Sequence, residues 1–359
     1  MSRTAAGLHD AMGSRLEDPL ALNAVSGALV QDADQLTGDP KFLTMRVIEI
    51  DSKTMPKDEQ HFGPLKRDQP FFTNYGTKDG ADKTFYDGYD PLFLARKAAV
   101  LYGIYKNYSG FMDCSESWNL GSSVGEEELK TLLAVELHCA SFHQAEAMIA
   151  LLLAEYQNRP DWVFLTTYRN TEIKNAAKAL VSHDYAAISS GTAKSIEDFI
   201  NAAVLATWQL SQGVGTNAWK ESIRGIGYLI ELVAEQFLSG HEYNSYKHGL
   251  RVVAGSARFA FVPSLNSKNI TSSMSMRHSM TYLQMLKVQG GYGGQMVTKE
   301  IDPEYSHELI QCMAPVLSLI KTMRVARIDK ELPRDVSFPP IDVGLLASKR
   351  PIARFAITY

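Results

Sequence analysis

The chain has 359 residues, 45% hydrophobic and 21% charged, which is enough to bury a substantial core in one large domain or two ordinary ones. Its 36 Lys and Arg against 40 Asp and Glu give a net charge of −4, so binding to nucleic acid would require a local basic patch. Three dispersed cysteines argue against a disulfide scaffold and a zinc cluster. The sequence has neither the apolar core of a signal peptide nor an apolar run long enough to span a membrane. Together with the dispersed cysteines, this predicts a cytoplasmic protein.

The N-terminal part of the chain predicts mixed structure. Residues 1–38 are mostly small and polar and indicate a loosely held arm, whereas 42–50 has the branched residues of a strand. Residues 53–89 are rich in Lys, Asp, Gly and Pro and predict a long loop. Asp90-Pro91 then has the pattern of an N-cap followed by proline at the first helical position. It predicts a helix through Tyr105.

A long central helix is predicted from Glu126 to about Gln157, after a loop at 110–125. Three consecutive acids in its first turn suit the helix dipole. The helix is apolar on nearly every side, as is typical at the centre of a bundle, so its few polar residues need partners when buried. Four of them recur at i, i+3, i+7 and i+10 and are named the carboxylate stripe: Glu136, Cys139, His143 and Glu146.

The second half predicts more helices and a small sheet. Helices are expected at 168–181, from Ser195 through Trp208, from Asn217 through Phe237, and from Asp302-Pro303 through Arg324, with a kink at Pro315. Three short antiparallel strands are expected at 258–262, 280–288 and 296–301, with the glycine cluster 290–294 as a hairpin loop. The proline-rich end, 329–359, predicts an extended strap with an edge strand at 354–357.

The most polar stretch of the helical region is His241–Arg251. If it is helical, its polar residues His241, Asn244, His248 and Arg251 share one face. Tyr243 and Lys247 form an i, i+4 pair on another side. The stretch is either a solvated helix end or a group of cations and amides that partners the carboxylate stripe. An imidazole with a nearby cation also has the composition of a metal-independent ribonuclease site.

Two other chemistries find less support in the sequence. A di-iron bundle needs repeated Glu-x-x-His pairs, but Glu304 and His307 form one pair and His143-x-x-Glu146 has the reverse order. Gly121–Gly125 matches G-x-S-x-G, but the preceding residues are polar and do not form the strand that a nucleophile elbow needs. Cys139, within an apolar helix, is interpreted as a core residue.

A family resemblance follows from these residues. A long bundle helix with a polar stripe, followed by Asn-x-x-x-His-Gly at the end of another helix, resembles the HEPN superfamily of bacterial helical proteins. Its catalytic members carry Arg-x4-6-His, often as Arg-Asn-x-x-x-His. Asn244–His248 matches the second part of that motif, but Tyr243 stands at the position of the arginine. The stretch 141–146, running into 159–162, also looks like uncharacterised HEPN-like proteins, and the resemblance covers roughly residues 126–328.

The resemblance implies a mainly α fold, a HEPN-like helical bundle at 111–328 with a small antiparallel sheet inserted at 252–301. An N-terminal α/β extension at 1–110 and the strap at 329–359 complete the expected domains. It implies an RNA- or nucleotide-binding protein of a defence or toxin–antitoxin system, acting as a homodimer without cofactor or metal. His248, Asn244 and Arg251 would be catalytic if Arg251 supplies the missing cation. The expected binding residues are Tyr243, Lys247, His241, Glu136, His143 and Glu146.

Two alternatives remain open at this stage. The first is a non-enzymatic interaction or scaffold protein, with a protein partner, whose polar stripe only holds two helices together. The second is a di-metal carboxylate oxidase. The surroundings of the His241–Arg251 stretch distinguish the three, because an open basic cleft favours RNA and burial against the carboxylate stripe favours the scaffold.

Overall fold

The computed structural model describes residues 72–73, 76–110, 125–188, 193–205, 217–247, 252–261, 272–288, 291–331, 341, 343–348 and 354–358. All of them belong to one compact unit, Lys57–Tyr359. The predicted arm, the predicted strand at 42–50 and most of the predicted loop at 110–125 lie outside the described residues. Helices dominate the described part and an antiparallel sheet accompanies them, as the sequence predicts.

One long helix, Glu126–Tyr156, forms the centre of the fold and matches its predicted bounds. This helix is the third in the described part of the chain and is called α3. Its second half is almost completely buried because other helices surround it. The chain leaves α3 through Asn158, whose φ of 54° lies in the left-handed region. Pro160 follows and cannot continue the helix.

The helices packed on α3 follow one another in the predicted order, with one short helix at Asp161 that the sequence did not predict. They are α2 (Phe93–Lys106), α4 (Asp161–Thr167), α5 (Asn170–Val181), α6 (Ile196–Ala203), α7 (Asn217–Ser239) and α9 (Pro303–Asp329). The start of α9 has the predicted cap, because the Asp302 carboxylate accepts the amides of Glu304 and Tyr305 at 2.9 and 3.1 Å. Pro315 lies exposed within α9, and the helix runs on to Asp329.

The loop predicted at 53–89 is wrong for its described residues. A short hairpin, β1 (Phe72–Thr73) and β2 (Gly76–Thr77), leads into a helix, α1 (Lys78–Gly88). The Thr77 hydroxyl caps α1 by accepting the amide of Gly80 at 3.3 Å. The composition of this segment does not indicate a helix. Burial of Ala81 and Tyr86 against other elements stabilises the helix, rather than a strong local helix propensity. Helix α1 packs on α4 and α9.

The sheet has four antiparallel strands in the order β3–β4–β5–β6. They are β3 (Val252–Phe261), β4 (Ser272–Val288), β5 (Gly291–Glu300) and β6 (Arg354–Thr358), longer than predicted and with the expected C-terminal edge strand. The hairpin between β4 and β5 is present, but the glycine cluster predicted as its loop is mostly strand, because 291–294 pair with 285–288 of β4. The inward face carries Met280, which packs with Ala134 and Val135 of α3. Leu283 lies three residues after Met280 on β4. Because side chains alternate between the two faces of a strand, Leu283 is on the outward face, where it is exposed.

The predicted extended strap at 329–359 is wrong in part. Residues Val343–Ser348 form a helix, α10, which packs on α7 and α9. Leu346 of α10 is fully buried in the main core, so tertiary contact stabilises a helix in a segment whose prolines suggested an extended chain. Two helices, α3 and α9, have the length and hydropathy of a membrane span, but 89% and 61% of those windows are buried inside the fold. That burial is what core helices show.

Candidate functional site

The polar stretch that begins at His241 forms a short helix, α8 (His241–Lys247), directly after α7. Gly240 separates the two helices and lies against the ring of Phe142 on α3. His241 is exposed, and the side-chain amide of Asn244 donates to the carbonyl of Gly240 at 3.5 Å. His248 and Arg251, the other two residues of the predicted face, lie outside the described residues.

The contacts between α8 and the carboxylate stripe come from a different side of α8 than predicted. The hydroxyl of Tyr243 donates to Glu146 Oε2 at 2.9 Å, and Lys247 forms an ion pair with the same oxygen. The hydroxyl of Tyr246 donates to Glu136 Oε1 at 2.5 Å. The predicted contact between the two segments is therefore present, but His241 and Asn244 do not supply these bonds.

Tyr243, at the position of the family's arginine, is enclosed rather than presented to solvent. Its ring stacks on Phe142 at 5.1 Å between centroids, and the Lys247 ammonium lies 4.5 Å above the ring centre. Burial, and then the Glu146 carboxylate, raise the pKa of Tyr243 well above its ordinary value. Tyr168 also faces Glu146, and burial together with that carboxylate raises the pKa of Tyr168. Tyr243 thus serves as a hydrogen-bond donor to a buried carboxylate.

A second tie between α8 and the rest of the fold involves Glu242, which the sequence analysis did not select. Its carboxylate is fully buried; Oε1 lies 3.2 Å from His138 Nε2 and 2.5 Å from Lys299 Nζ. His138 belongs to α3 and Lys299 to β5, so one carboxylate joins a helix, the sheet and α8. The sequence feature that could have indicated this contact is Lys299. It is a cation at an inward position of a strand, and a cation there requires a buried partner.

The protonation of Glu242 depends on these two partners. Burial opposes its ionisation, but the hydrogen bond from His138 and the charge of Lys299 outweigh burial and lower the pKa of Glu242 to about 2. Burial lowers the pKa of His138, despite the Glu242 carboxylate, so its imidazole is neutral near pH 7. Lys299 is therefore the cation that balances Glu242 at neutral pH.

Acid should weaken this tie in a defined range. Because the pKa of Glu242 is about 2 in the fold against about 4.5 ordinarily, its stabilisation is present above pH 4.5 and is lost as pH falls toward 2. That interval corresponds to about 3 kcal/mol of unfolding free energy. Glu242→Gln should remove this component, so stability at pH 7 falls and the decline between pH 4.5 and 2 becomes shallower. Urea unfolding at pH 7, 5 and 3 measures both effects.

The matched control is Glu126→Gln, which changes an exposed carboxylate of the same type, paired with Lys130 at the start of α3. This variant should keep the pH dependence of the parent chain. A Glu242→Gln variant with the parent's full acid-dependent decline would contradict the assignment of Glu242 as the buried acid-sensitive group.

An open groove lies beside the α3–α8 contact, between α3 on one side and α8 with β3 on the other. Its volume is about 820 Å³, and its lining residues are Leu132, Val135, Glu136, His143, Tyr246, Lys247, Val252 and Ala254. A second cavity of about 560 Å³ shares Leu132 and Ala254 with the groove and is also lined by Glu127 and Glu128 of α3 and by Arg277 of β4. The surface of the groove is mostly apolar.

The charges of the groove near α8 are balanced. Glu136 lies 3.7 Å from Lys97 of α2, and Glu146 is paired with Lys247, so two carboxylates face two ammonium groups. Partial burial, and then the Lys247 ammonium, lower the pKa of His143, whose exposed ring is therefore neutral at pH 7. The described residues that line this part of the groove carry no net positive charge that would attract a phosphate backbone.

Arg324 of α9 is the centre of a separate ionic network that shares no residue with the groove lining. Its side chain is fully buried; Nη1 lies 2.8 Å from Glu155 Oε2, and Nε lies 3.1 Å from Asp161 Oδ2. Nη2 donates to the carbonyls of Leu151 and Ala203 at 3.1 and 3.0 Å. Burial opposes the ionisation of Glu155, but Arg324 and Lys78 outweigh it and lower its pKa.

The same network anchors α1. Asp82 of α1 accepts the amide of Asp161 at 2.6 Å and lies 3.0 Å from Lys78 Nζ. Tyr86 donates its hydroxyl to Asp161 Oδ2 at 2.5 Å. The carboxylates of Asp82, Glu155 and Asp161 are thus matched by Lys78, Arg324 and Arg327, and the network joins α1, α3, α4 and α9. Its closed, paired geometry is that of a structural tie.

Metal-ligand geometry is not found in the described part of the chain. No group of three or more His, Cys, Asp or Glu side chains there is arranged to hold a metal ion. His307 stacks on Tyr102 at 4.4 Å between ring centroids, and Glu304 lies 3.9 Å from Lys106. Cys139 is buried in the core as expected. The G-x-S-x-G match lies almost entirely outside the described residues.

No family model, no curated protein and no solved structure matches this chain. The resemblance to the HEPN superfamily therefore stays a hypothesis that rests on the residues quoted for it. The α3–α8 contact and the groove beside it are the structural features that bear on the function of the chain.

Proposed function

We propose that this chain is a non-enzymatic interaction protein, in which the carboxylate stripe holds α8 on α3 and the groove beside them receives a partner. One observation carries the proposal: both glutamates of the stripe are already bound by groups of the protein itself. Glu146 has Tyr243 and Lys247, and Glu136 has Tyr246 and Lys97. These bonds commit Glu146 Oε2 and Glu136 Oε1 to the contact between α8 and α3, which is a structural role.

The groove supports binding better than it supports acid–base chemistry. Its lining is largely apolar and includes Leu132, which is 45% exposed although it is large and apolar. Its two charged lining residues near α8 are each paired with an opposite charge, Glu136 with Lys97 and Lys247 with Glu146, which leaves no activated nucleophile or cationic cluster among the described lining residues. A largely apolar groove with a few polar groups is the usual composition of a surface that binds another molecule.

RNA or nucleotide binding is the second candidate, with HEPN-like ribonuclease activity, a homodimer and a defence or toxin–antitoxin setting following from the resemblance. One observation favours it: Lys247 and Val252, the sequence neighbours of His248–Arg251, both line the groove, together with His143. An imidazole and cations supplied beside such a groove would suit metal-independent cleavage of a phosphodiester. The balanced charge of the described lining weighs against it.

A single variant separates the two candidates. For an interaction protein, the purified full chain should neither bind nor cleave a mixed RNA pool at low salt, and His248→Ala should change neither result. Binding and cleavage are measured by gel shift and by fluorescence release from a labelled RNA. His183→Ala is the matched control, because it removes an imidazole whose side chain is 60% exposed and which lies near Glu231 at 3.3 Å.

The opposite outcome is equally clear. RNA cleavage by the parent chain that His248→Ala abolishes and His183→Ala preserves, at an unchanged melting temperature, would refute the interaction proposal in favour of the nuclease. Substitutions at exposed positions usually shift stability by no more than about 0.5 kcal/mol, so the control His183→Ala should keep the melting temperature of the parent chain.

A further inference from the structure

Strand β3 has one unused edge in the described structure. It is the first strand in the order β3–β4–β5–β6, and within the described residues no strand pairs with its other side. Residues Val252 to Gly255 are in unbroken register with Tyr282 to Ser279 of β4, and an irregularity follows between Gly255 and Ala257. A strand edge with unpaired amides and carbonyls is a template for another strand, and the irregularity limits the template to about four residues.

The groove and the second cavity are both lined by residues of β3, among them Val252, Ala254 and Gly255, and the second cavity is also lined by Ser275 and Arg277 of β4. Together they have the length of a short peptide. On α3 their lining residues extend from Glu127 to His143. Those 16 residues at 1.5 Å per residue span about 24 Å. An extended chain rises about 3.3 Å per residue, so roughly seven residues would fill the groove from end to end.

The lining defines the chemistry of the occupant. Leu132 and Val135 on α3 face Val252 and Ala254, which lie on the inward face of β3, so alternate residues of an inserted strand would meet apolar surface. At one end stand the exposed carboxylates of Glu127 and Glu128, accompanied by Arg277, which leaves an excess of one negative charge. A basic residue of the occupant fits at that end.

We infer that the partner of this interaction protein is an extended peptide segment of another protein, which adds a strand to the free edge of β3. The inference rests on the proposed function and names its ligand class. Because every pairing in the sheet is antiparallel, the added strand is expected to run antiparallel to β3. Its N-terminal end then lies beside Gly255 and Glu127–Glu128. The matching sequence pattern is a basic residue followed by apolar residues at alternate positions.

The test uses the full chain and dye-labelled, blocked heptapeptides with Val, Ile or Tyr at alternate positions and Arg, Gln or Glu as the first residue. Fluorescence anisotropy should show Arg-first peptides binding about tenfold more tightly than Glu-first peptides. Hydrogen–deuterium exchange should show protection within 252–255 in the complex, because new inter-strand bonds cover the alternate amides that do not face β4. Glu127→Lys with Glu128→Lys should reverse the preference for the first residue.

Two apolar-to-acidic changes form a matched pair. Leu132→Asp, in the groove, should weaken binding by at least about tenfold, whereas Leu283→Asp, on the outward face of the sheet, should leave it unchanged. Circular dichroism checks that each variant folds. The charge-reversal pair at exposed Glu127 and Glu128 gives an independent answer if Leu132→Asp does not fold.

Several results would overturn the inference. They are no binding by any peptide of the panel up to roughly 1 mM, equal effects of Leu132→Asp and Leu283→Asp, or exchange protection outside 252–255 only. Self-association that Leu132→Asp abolishes would identify a second copy of the chain as the occupant instead. If the panel fails and RNA activity is also absent, only the peptide inference is refuted, since the RNA assay tests the proposed function separately.

Discussion

Replacing Arg324 by alanine is expected to lower the free energy of unfolding by about 3–5 kcal/mol, the largest loss we expect from any single change outside the apolar core. Arg324 is fully buried and lies against two carboxylates, Glu155 Oε2 at 2.8 Å and Asp161 Oδ2 at 3.1 Å. The shortened side chain would leave both acids buried without their principal cation. It would also leave the carbonyls of Leu151 and Ala203 without its donated bonds.

Chemical denaturation at pH 7, with the midpoint and slope fitted together, measures the loss for Arg324→Ala. Lys83→Met is the control, because it also removes a cation near a carboxylate, Asp329 at 3.1 Å, but at an exposed position of α1. This control should unfold like the parent chain. If Arg324→Ala and Lys83→Met were equally stable, the network would not be the tie that fixes α1 and α9 on α3.

This network also illustrates what a sequence does not reveal. Glu155 and Arg324 each stand in long apolar helices, but nothing local indicates that residues 169 positions apart share an ion pair. Helix bounds were accessible because caps and periodicity are local, as Ser195 and Asp302 demonstrate. Helix α1 was missed for the same reason as the network, since burial against distant elements stabilises it rather than its own composition.

The two segments that the sequence paired are in contact, but the described residues of α8 that make the contact are not the ones that were chosen from the spacing. The spacing of the carboxylate stripe and of the stretch after His241 indicated that two helices meet. The prediction chose imidazoles, amides and a guanidinium as the partners of the carboxylates. Tyrosine hydroxyls are equally good donors and bring apolar rings, so the buried contact uses Tyr243 and Tyr246.

The packing of α8 on α3 should be sensitive to the addition of one methyl group. A Cβ at Gly240 would lie 2.3 Å from Cε1 and 2.9 Å from Cζ of Phe142, far inside contact distance. Phe142 cannot easily move away, because its ring is fully buried between His138, 5.0 Å away, and Tyr243, 5.1 Å away. Gly240→Ala is therefore expected to cost about 1–3 kcal/mol of stability through overpacking.

The control and the rescue make this expectation specific. Gly103→Ala, in α2, places a Cβ in open space and should be neutral or stabilising by up to about 1 kcal/mol, since alanine favours helix. Phe142→Leu removes the atoms that the new methyl group would meet, so the double variant Gly240→Ala with Phe142→Leu should be more stable than additivity predicts. Thermal unfolding of the four chains of this cycle measures the coupling. A coupling near zero would mean that α8 is not held against Phe142, and that the groove wall formed by Tyr246 and Lys247 does not depend on this contact.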